Sequence, residues 1–254
     1  MFTHISRLLI GGMLLLGGIS AQADVWSFRS DSWCPYNCAP EEKNPGYMVE
    51  ILQGAARVNG HKLDYQLLPY SRALKEAQDG RITGIVGMLA QDRKGFIFSK
   101  QMGVDSNCLF VNKGSRLQYR KPADFDTLAP VGVIQGYGYP EQFQQWSARH
   151  PDKVETLSGE DVIVRQALKL KSNRIGAFIE NENVFRYSST QLTELKDIEL
   201  AGCMSGGDPL FIGFSTQNPN ASQIKAQVDA YLDVIRKNGE LRKLLAKYRV
   251  APWK

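Results

Sequence analysis

The sequence has little of what metal and nucleophilic chemistry require. Its 254 residues contain only 3 histidines, and beyond His4 the other two, His61 and His150, stand far apart. That gives no clustered imidazoles for a metal site. There is no Gly-x-Ser-x-Gly elbow and no Gly-Lys-Ser/Thr phosphate loop. Gly136-Tyr137-Gly138 is half of a dinucleotide motif, but Pro140 stands two residues later and the segment reads as a turn. Glu160-Asp161 is a carboxylate pair that reads better as a helix start. Runs of like charge are also missing: 31 Lys and Arg are interspersed with 26 Asp and Glu, for a net charge of +5. Nucleic-acid-binding arms are thereby excluded as a first reading. No internal repeat occurs, and after residue 23 no apolar run approaches the roughly 20 residues that span a bilayer.

What is present describes an exported globular protein. Apolar residues make up 43% and charged residues 22%, which suits one large domain or two small ones. Arg7, the apolar stretch Leu8 to Ile19 and Ala21-Gln22-Ala23 compose a leader with a small-x-small cleavage site. Residues 1–23 are read as a signal peptide with cleavage after Ala23, and the mature chain is expected to be exported. The first cysteine is Cys34, too far from the cleavage point for lipid attachment there. In an oxidising compartment, 4 cysteines suggest disulfides before metal or redox chemistry. Cys34-Pro35-Tyr36-Asn37-Cys38 has three intervening residues, unlike a thioredoxin-type pair, and its Pro and Asn favour a turn that closes a local bridge. Cys108 and Cys203 are then either paired or free. No metal and no cofactor are expected.

Along the mature chain, segments with strand and helix periodicity alternate, which predicts an α/β fold. Strands are expected at Val25 to Phe28, Lys62 to Leu68, Ile82 to Met88 and Cys108 to Asn112. Helices are expected at Tyr47 to Asn59, where Met48, Ile51, Leu52 and Ala55 share a face, and at Ser71 to Gln78, with Ser71 as N-cap. The pattern restarts with strands at Pro130 to Gln135, Val154 to Leu157 and Arg174 to Ile179. Helices are expected there at Glu141 to Arg149, Glu160 to Leu170 and Glu182 to Tyr187. Strands at Glu199 to Cys203 and Leu210 to Ser215 precede an amphipathic helix marked by Ile224, Val228, Leu232 and Ile235. Gly239 breaks it before Leu241 to Tyr248.

Six segments follow one another along the chain: Ser32-Trp33-Cys34-Pro35-Tyr36, Gly46-Tyr47-Met48-Val49-Glu50-Ile51-Leu52, Leu68-Pro69-Tyr70-Ser71-Arg72-Ala73-Leu74, Val131 to Gly136, Arg174 to Ile179 and Leu210 to Ser215. Together they resemble the extracytoplasmic solute-binding proteins of family 3, usually linked to uptake of polar amino acids. The first occupies the place of the family's opening acidic–Trp–Pro–Pro–Phe/Tyr segment, the second is similar to its first helix start, and the others resemble later segments. The resemblance implies a type II periplasmic-binding-protein-like fold of two α/β lobes joined by two hinge strands. Lobe 1 would comprise residues 24–111 and 204–254, and lobe 2 residues 112–203. Cys108 and Cys203 would then lie beside the two hinge crossings. Their pairing there requires Cα atoms within about 7 Å.

The same resemblance supplies candidate site residues. Arg93 is the nearest match to the arginine that grips a ligand carboxylate, although Leu89 and Ala90 stand where hydroxyl residues are usual. Tyr137 replaces a threonine, and Asn181 falls at the position of an amino-binding aspartate, flanked by Glu180 and Glu182. What remains is aromatic and cationic: Trp33, Tyr36, Tyr70, Tyr137 and Tyr139 on loops at strand ends, with Arg72 at a helix start. Such a set suits a small organic anion or a ring-bearing ligand, oriented by Glu180 and Asn181. The function implied is capture of a small polar solute by a monomer and its delivery to an ABC permease, without enzymatic activity. Two other readings share the fold: a periplasmic sensor component, and a secreted cyclohexadienyl-dehydratase-like enzyme with Glu180 or Glu182 as acid.

Overall fold

A computed structural model describes residues 24–89, 94–159, 161–204 and 207–253. The leader with its cleavage site, Arg93 and Glu160 lie outside the described residues. The first sheet contains β1 (Val25–Ser30), β2 (Lys62–Leu67), β3 (Gly84–Leu89), β4 (Phe96–Phe98), β5 (Gly103–Asp105) and β11 (Asp208–Ser215). Its order is β2-β1-β3-β11-β4, with β5 also paired to β11. Strands β1, β2 and β3 run parallel, and β11 returns antiparallel to β3. The second sheet, in the order β10-β6-β9-β7-β8, is built from β6 (Asn107–Asn112), β7 (Val131–Ile134), β8 (Val154–Leu157), β9 (Ala177–Asn181) and β10 (Ile198–Cys203).

Each sheet is covered because its apolar residues fall at the spacing its partners need. Helix α1 (Tyr47–Val58) buries Met48, Ile51, Leu52 and Ala55, and α7 (Ala221–Lys237) buries Ile224, Val228, Leu232 and Ile235. The three- and four-residue spacing puts each set on one helical face. Those faces meet Trp26, Phe28, Val86 and Phe214 in one core. Helix α2 (Tyr70–Gln78) covers the opposite face with Tyr70, Ala73 and Ala77. It begins one residue earlier than expected, with Pro69 at the N-cap and no side-chain cap, so Ser71 lies inside the helix. On β3, Ile85 and Met88 face one core while Val86 and Leu89 face the other. That break in alternation comes from a bulge at Gly87, whose φ of +77° suits glycine. In the second sheet, β6 alternates Leu109 and Val111 into one core with Cys108 and Phe110 into another.

Two crossings join the sheets. The chain passes from β5 to β6 through Ser106, and returns between β10, which ends at Cys203, and β11, which begins at Asp208. The expected lobe 1 boundary at residue 111 therefore differs from the sheet boundary. Strand β6 is hydrogen-bonded to β9 and β10, so residues from Asn107 onward belong with the second sheet. Cys108 and Cys203 face each other in the β6–β10 register and form a disulfide with Cα atoms 3.9 Å apart. Cys34 and Cys38 form the second disulfide.

Candidate ligand-binding site

The site lies between the lobes, where the turns after β1 and β7 meet the ends of β3 and β9. After β1 the chain turns through Trp33 to Asn37. This turn is held by the Trp33 amide donating to the Asn37 carbonyl (2.7 Å) and the Asn37 side-chain amide donating to the Asp31 carbonyl (2.6 Å). Gly87 backs the turn: a Cβ there would come within 3.1 Å of Asn37 Oδ1 and 3.4 Å of the Trp33 ring. From the other lobe, the turn after β7 brings Tyr137, and β9 ends with Glu180 and Asn181.

Two pockets occupy this space. A small one of about 20 Å³ is lined by Asp31, Trp33, Tyr70, Asp105 and Tyr137, among others. A wider cleft of about 380 Å³, open to solvent, is lined by residues including Asp31, Trp33, Glu42, Tyr137, Asp161 and Glu180. Every charged residue on either lining, among the described residues, is a carboxylate.

The acids are cross-tied. Asp31 of lobe 1 accepts from the Tyr137 hydroxyl of lobe 2 at 2.6 Å, and Glu180 of lobe 2 accepts from the Trp33 indole of lobe 1 at 3.1 Å. Burial pushes the Asp31 carboxyl up to about 6, against the opposing effect of the Tyr137 hydrogen bond. Burial also pushes Glu180 up to about 7, although the Asn181 amide and Trp33 favour its ionised form. Asp105, which accepts from Asn181 Nδ2 and Asn107 Nδ2 at 2.7 Å each, is raised by burial to about 6. Among the described residues no Lys, Arg or His pairs with any of the three. Burial holds the Tyr137 hydroxyl well above its usual range, so it remains a donor to Asp31.

The residues expected at the site separate into three groups. Trp33, Tyr70, Tyr137 and Glu180 line the pockets. Tyr70 meets Tyr137 edge-on with centroids 5.4 Å apart, and Trp33 meets Tyr137 in the same way at 6.2 Å. Tyr36, Tyr139 and Asn181 are buried behind the surface the pockets present. The Tyr36 hydroxyl donates to the Val104 carbonyl at 2.7 Å and accepts from Asn183 Nδ2 at 2.9 Å, while Tyr139 accepts from the Ile134 amide. Asn181 caps helix α6 (Glu182–Ser189), accepting from the amides of Asn183 and Val184. Arg72 is placed elsewhere: it pairs with Glu76 one turn along α2, its side chain is 69% exposed, and neither pocket includes it. Asp31 and Asp105 were not among the expected residues. Asp31 was marked only by standing just ahead of the Trp33 turn, and nothing local marks Asp105.

Three candidate metal ligands converge at two places among the described residues, Cys34/Cys38/Glu42 and Cys108/Glu182/Cys203. In each, both sulfurs are oxidised to a disulfide, which removes the thiolates that would bind an ion.

Two α/β lobes, two strand crossings and a pocket lined from both sides define the class of proteins that close over a solute. The family model for bacterial extracellular solute-binding proteins, family 3, matches residues 29–251, and the chain belongs to that family. It is 22% identical over 221 residues to the probable amino-acid-binding protein YxeM of Bacillus subtilis, covering 84% of this chain and 79% of that one. Among solved structures it is similar to an ancestral arginine-binding protein bound to arginine (TM-score 0.73, 18% identity, 88% of this chain and 97% of that one). It is also similar to a histidine kinase sensor domain with similarity to periplasmic binding proteins (TM-score 0.75, 14% identity, 90% and 98%). At these identities the structural likeness speaks to the fold.

Proposed function

We propose that the protein is exported to the periplasm, captures a small polar solute between its lobes as a monomer, and passes it to an ABC permease without altering it. The observation that carries this reading is a cleft whose walls come from both lobes: Asp31 and Trp33 from one, Tyr137 and Glu180 from the other. A ligand held there favours closure by the difference in its affinity for the closed and open forms. The names of the relatives are consistent with it, since one is a probable amino-acid-binding protein and another holds arginine.

Thermal unfolding of residues 24–254 against amino acids, small carboxylates, aromatic acids and polyamines tests the reading. A ligand at about 100 times its dissociation constant adds roughly 2.7 kcal/mol, a readable rise in midpoint. At least one solute is expected to give that rise and to be recovered unchanged. Absence of any shift across the panel, or turnover of prephenate, would contradict it.

A further inference from the structure

We propose that the solute is an organic cation, an amine or guanidinium, and that the cleft recognises this positive group through Glu180, Asp31 and the rings of Trp33 and Tyr137 without needing a ligand carboxylate. The inference rests on the solute-capture reading and names the ligand class.

The first support is charge. The interlobe cleft carries Asp31, Glu42, Asp161 and Glu180 on its walls, and the small pocket adds Asp105, with no basic residue on either lining among the described residues. A ligand anion entering that space would meet like charge from every charged side chain described on its walls, whereas a cation supplies the counter-charge that these buried carboxylates lack among the described residues. The second support is an open acceptor. Glu180 is 6% exposed, and its Oε1 takes both the Trp33 indole N–H and the Asn181 amide. Its Oε2 has no hydrogen-bond partner among the described residues, although the side chain lines the cleft. A carboxylate fixed through one oxygen and open at the other is built to accept a charge-assisted bond. The third support is the aromatic wall. Trp33 and Tyr137 stand edge to face beside the two acids, and ring faces attract cations, most strongly when water is excluded.

The crossed ties give the site its coupling to closure. Each acid is held by an aromatic residue of the opposite lobe, so the groups that bind the cation are assembled only when the lobes meet. A cation bridging Asp31 and Glu180 would hold the two lobes together directly.

Calorimetric titration of residues 24–254 at pH 8 with agmatine and with glutarate tests the proposal. Agmatine is expected to bind, glutarate to give no binding heat, and Glu180→Gln and Asp31→Asn each to weaken agmatine at least tenfold. Both amides are isosteric with the protonated acids, and a retained melting transition at pH 5 verifies their fold. Binding of glutarate with agmatine inert, or agmatine affinity indifferent to both substitutions, would overturn the proposal. If only an anion or uncharged solute of the wider panel binds, solute capture stands and the cation falls. If nothing binds in either set, both fall.

Discussion

Asp31 and Glu180 are held in surroundings that resist their own charge. Burial raises their carboxyls to about 6 and about 7, and the neighbours that face them are Tyr137 and Ser30 for the first, and Trp33, Asp105 and Asp31 for the second. The folded state therefore binds more protons than the unfolded chain between about pH 4 and pH 7, so stability falls as pH rises through that window. The ligand-free protein is expected to melt at a higher temperature at pH 5 than at pH 8. Glu180→Gln should flatten that difference and raise the midpoint at pH 8, as scanning calorimetry would record; an unchanged pH profile in the variant would count against the assignment. Glu180 is legible in the sequence because it flanks the position of a family ligand residue. Asp31 is not, because its placement depends on Tyr137, 106 residues later in the chain. The cationic reading rests on Arg72 and Arg93; the folded chain pairs Arg72 with Glu76, and Arg93 lies outside the described residues. Charge sign in a cleft is a property of tertiary assembly, and residue spacing does not carry it.

At the scale of elements, long periodic segments were legible and short ones were not. Tyr47–Val58 and Glu141–Arg149 lie within one residue of where the pattern puts them, because each is long enough to show a helical period. Phe96–Phe98 and Gly103–Asp105 have three residues each, too few to show one, and exist through pairing with β11. Asn181 is legible after the fact as a helix N-cap rather than a ligand residue, since Asn is favoured there. The β6–β10 disulfide closes a loop with a sequence separation of 95. Removing it by Cys108→Ser with Cys203→Ser should cost about 2–4 kcal/mol, because the unfolded chain regains the freedom that the long loop denies it. Urea denaturation of the paired variant measures this. A loss below about 1 kcal/mol would mean that the antiparallel register alone fixes the two crossings.

At the scale of the molecule, closure is a balance between ties and charge. Trp33–Glu180, Tyr137–Asp31 and the Asn183–Tyr36 bond draw the lobes together, and Val184 of lobe 2 packs into the core of lobe 1. The turn after β7 approaches closely: a Cβ on Gly136, φ +83°, would sit 3.4 Å from Ser71. Against these, Asp31, Asp105 and Glu180 repel one another once ionised, which sets pH 8 as the condition in which the empty cleft opens most readily. A bound cation removes that repulsion and leaves the ties in place. On the cation proposal, positive charge closes the lobes. Small-angle X-ray scattering of residues 24–254 at pH 8, with and without saturating agmatine, measures that closure. The radius of gyration is predicted to fall when agmatine is present and to change less in Glu180→Gln; an identical radius with and without bound agmatine would contradict it.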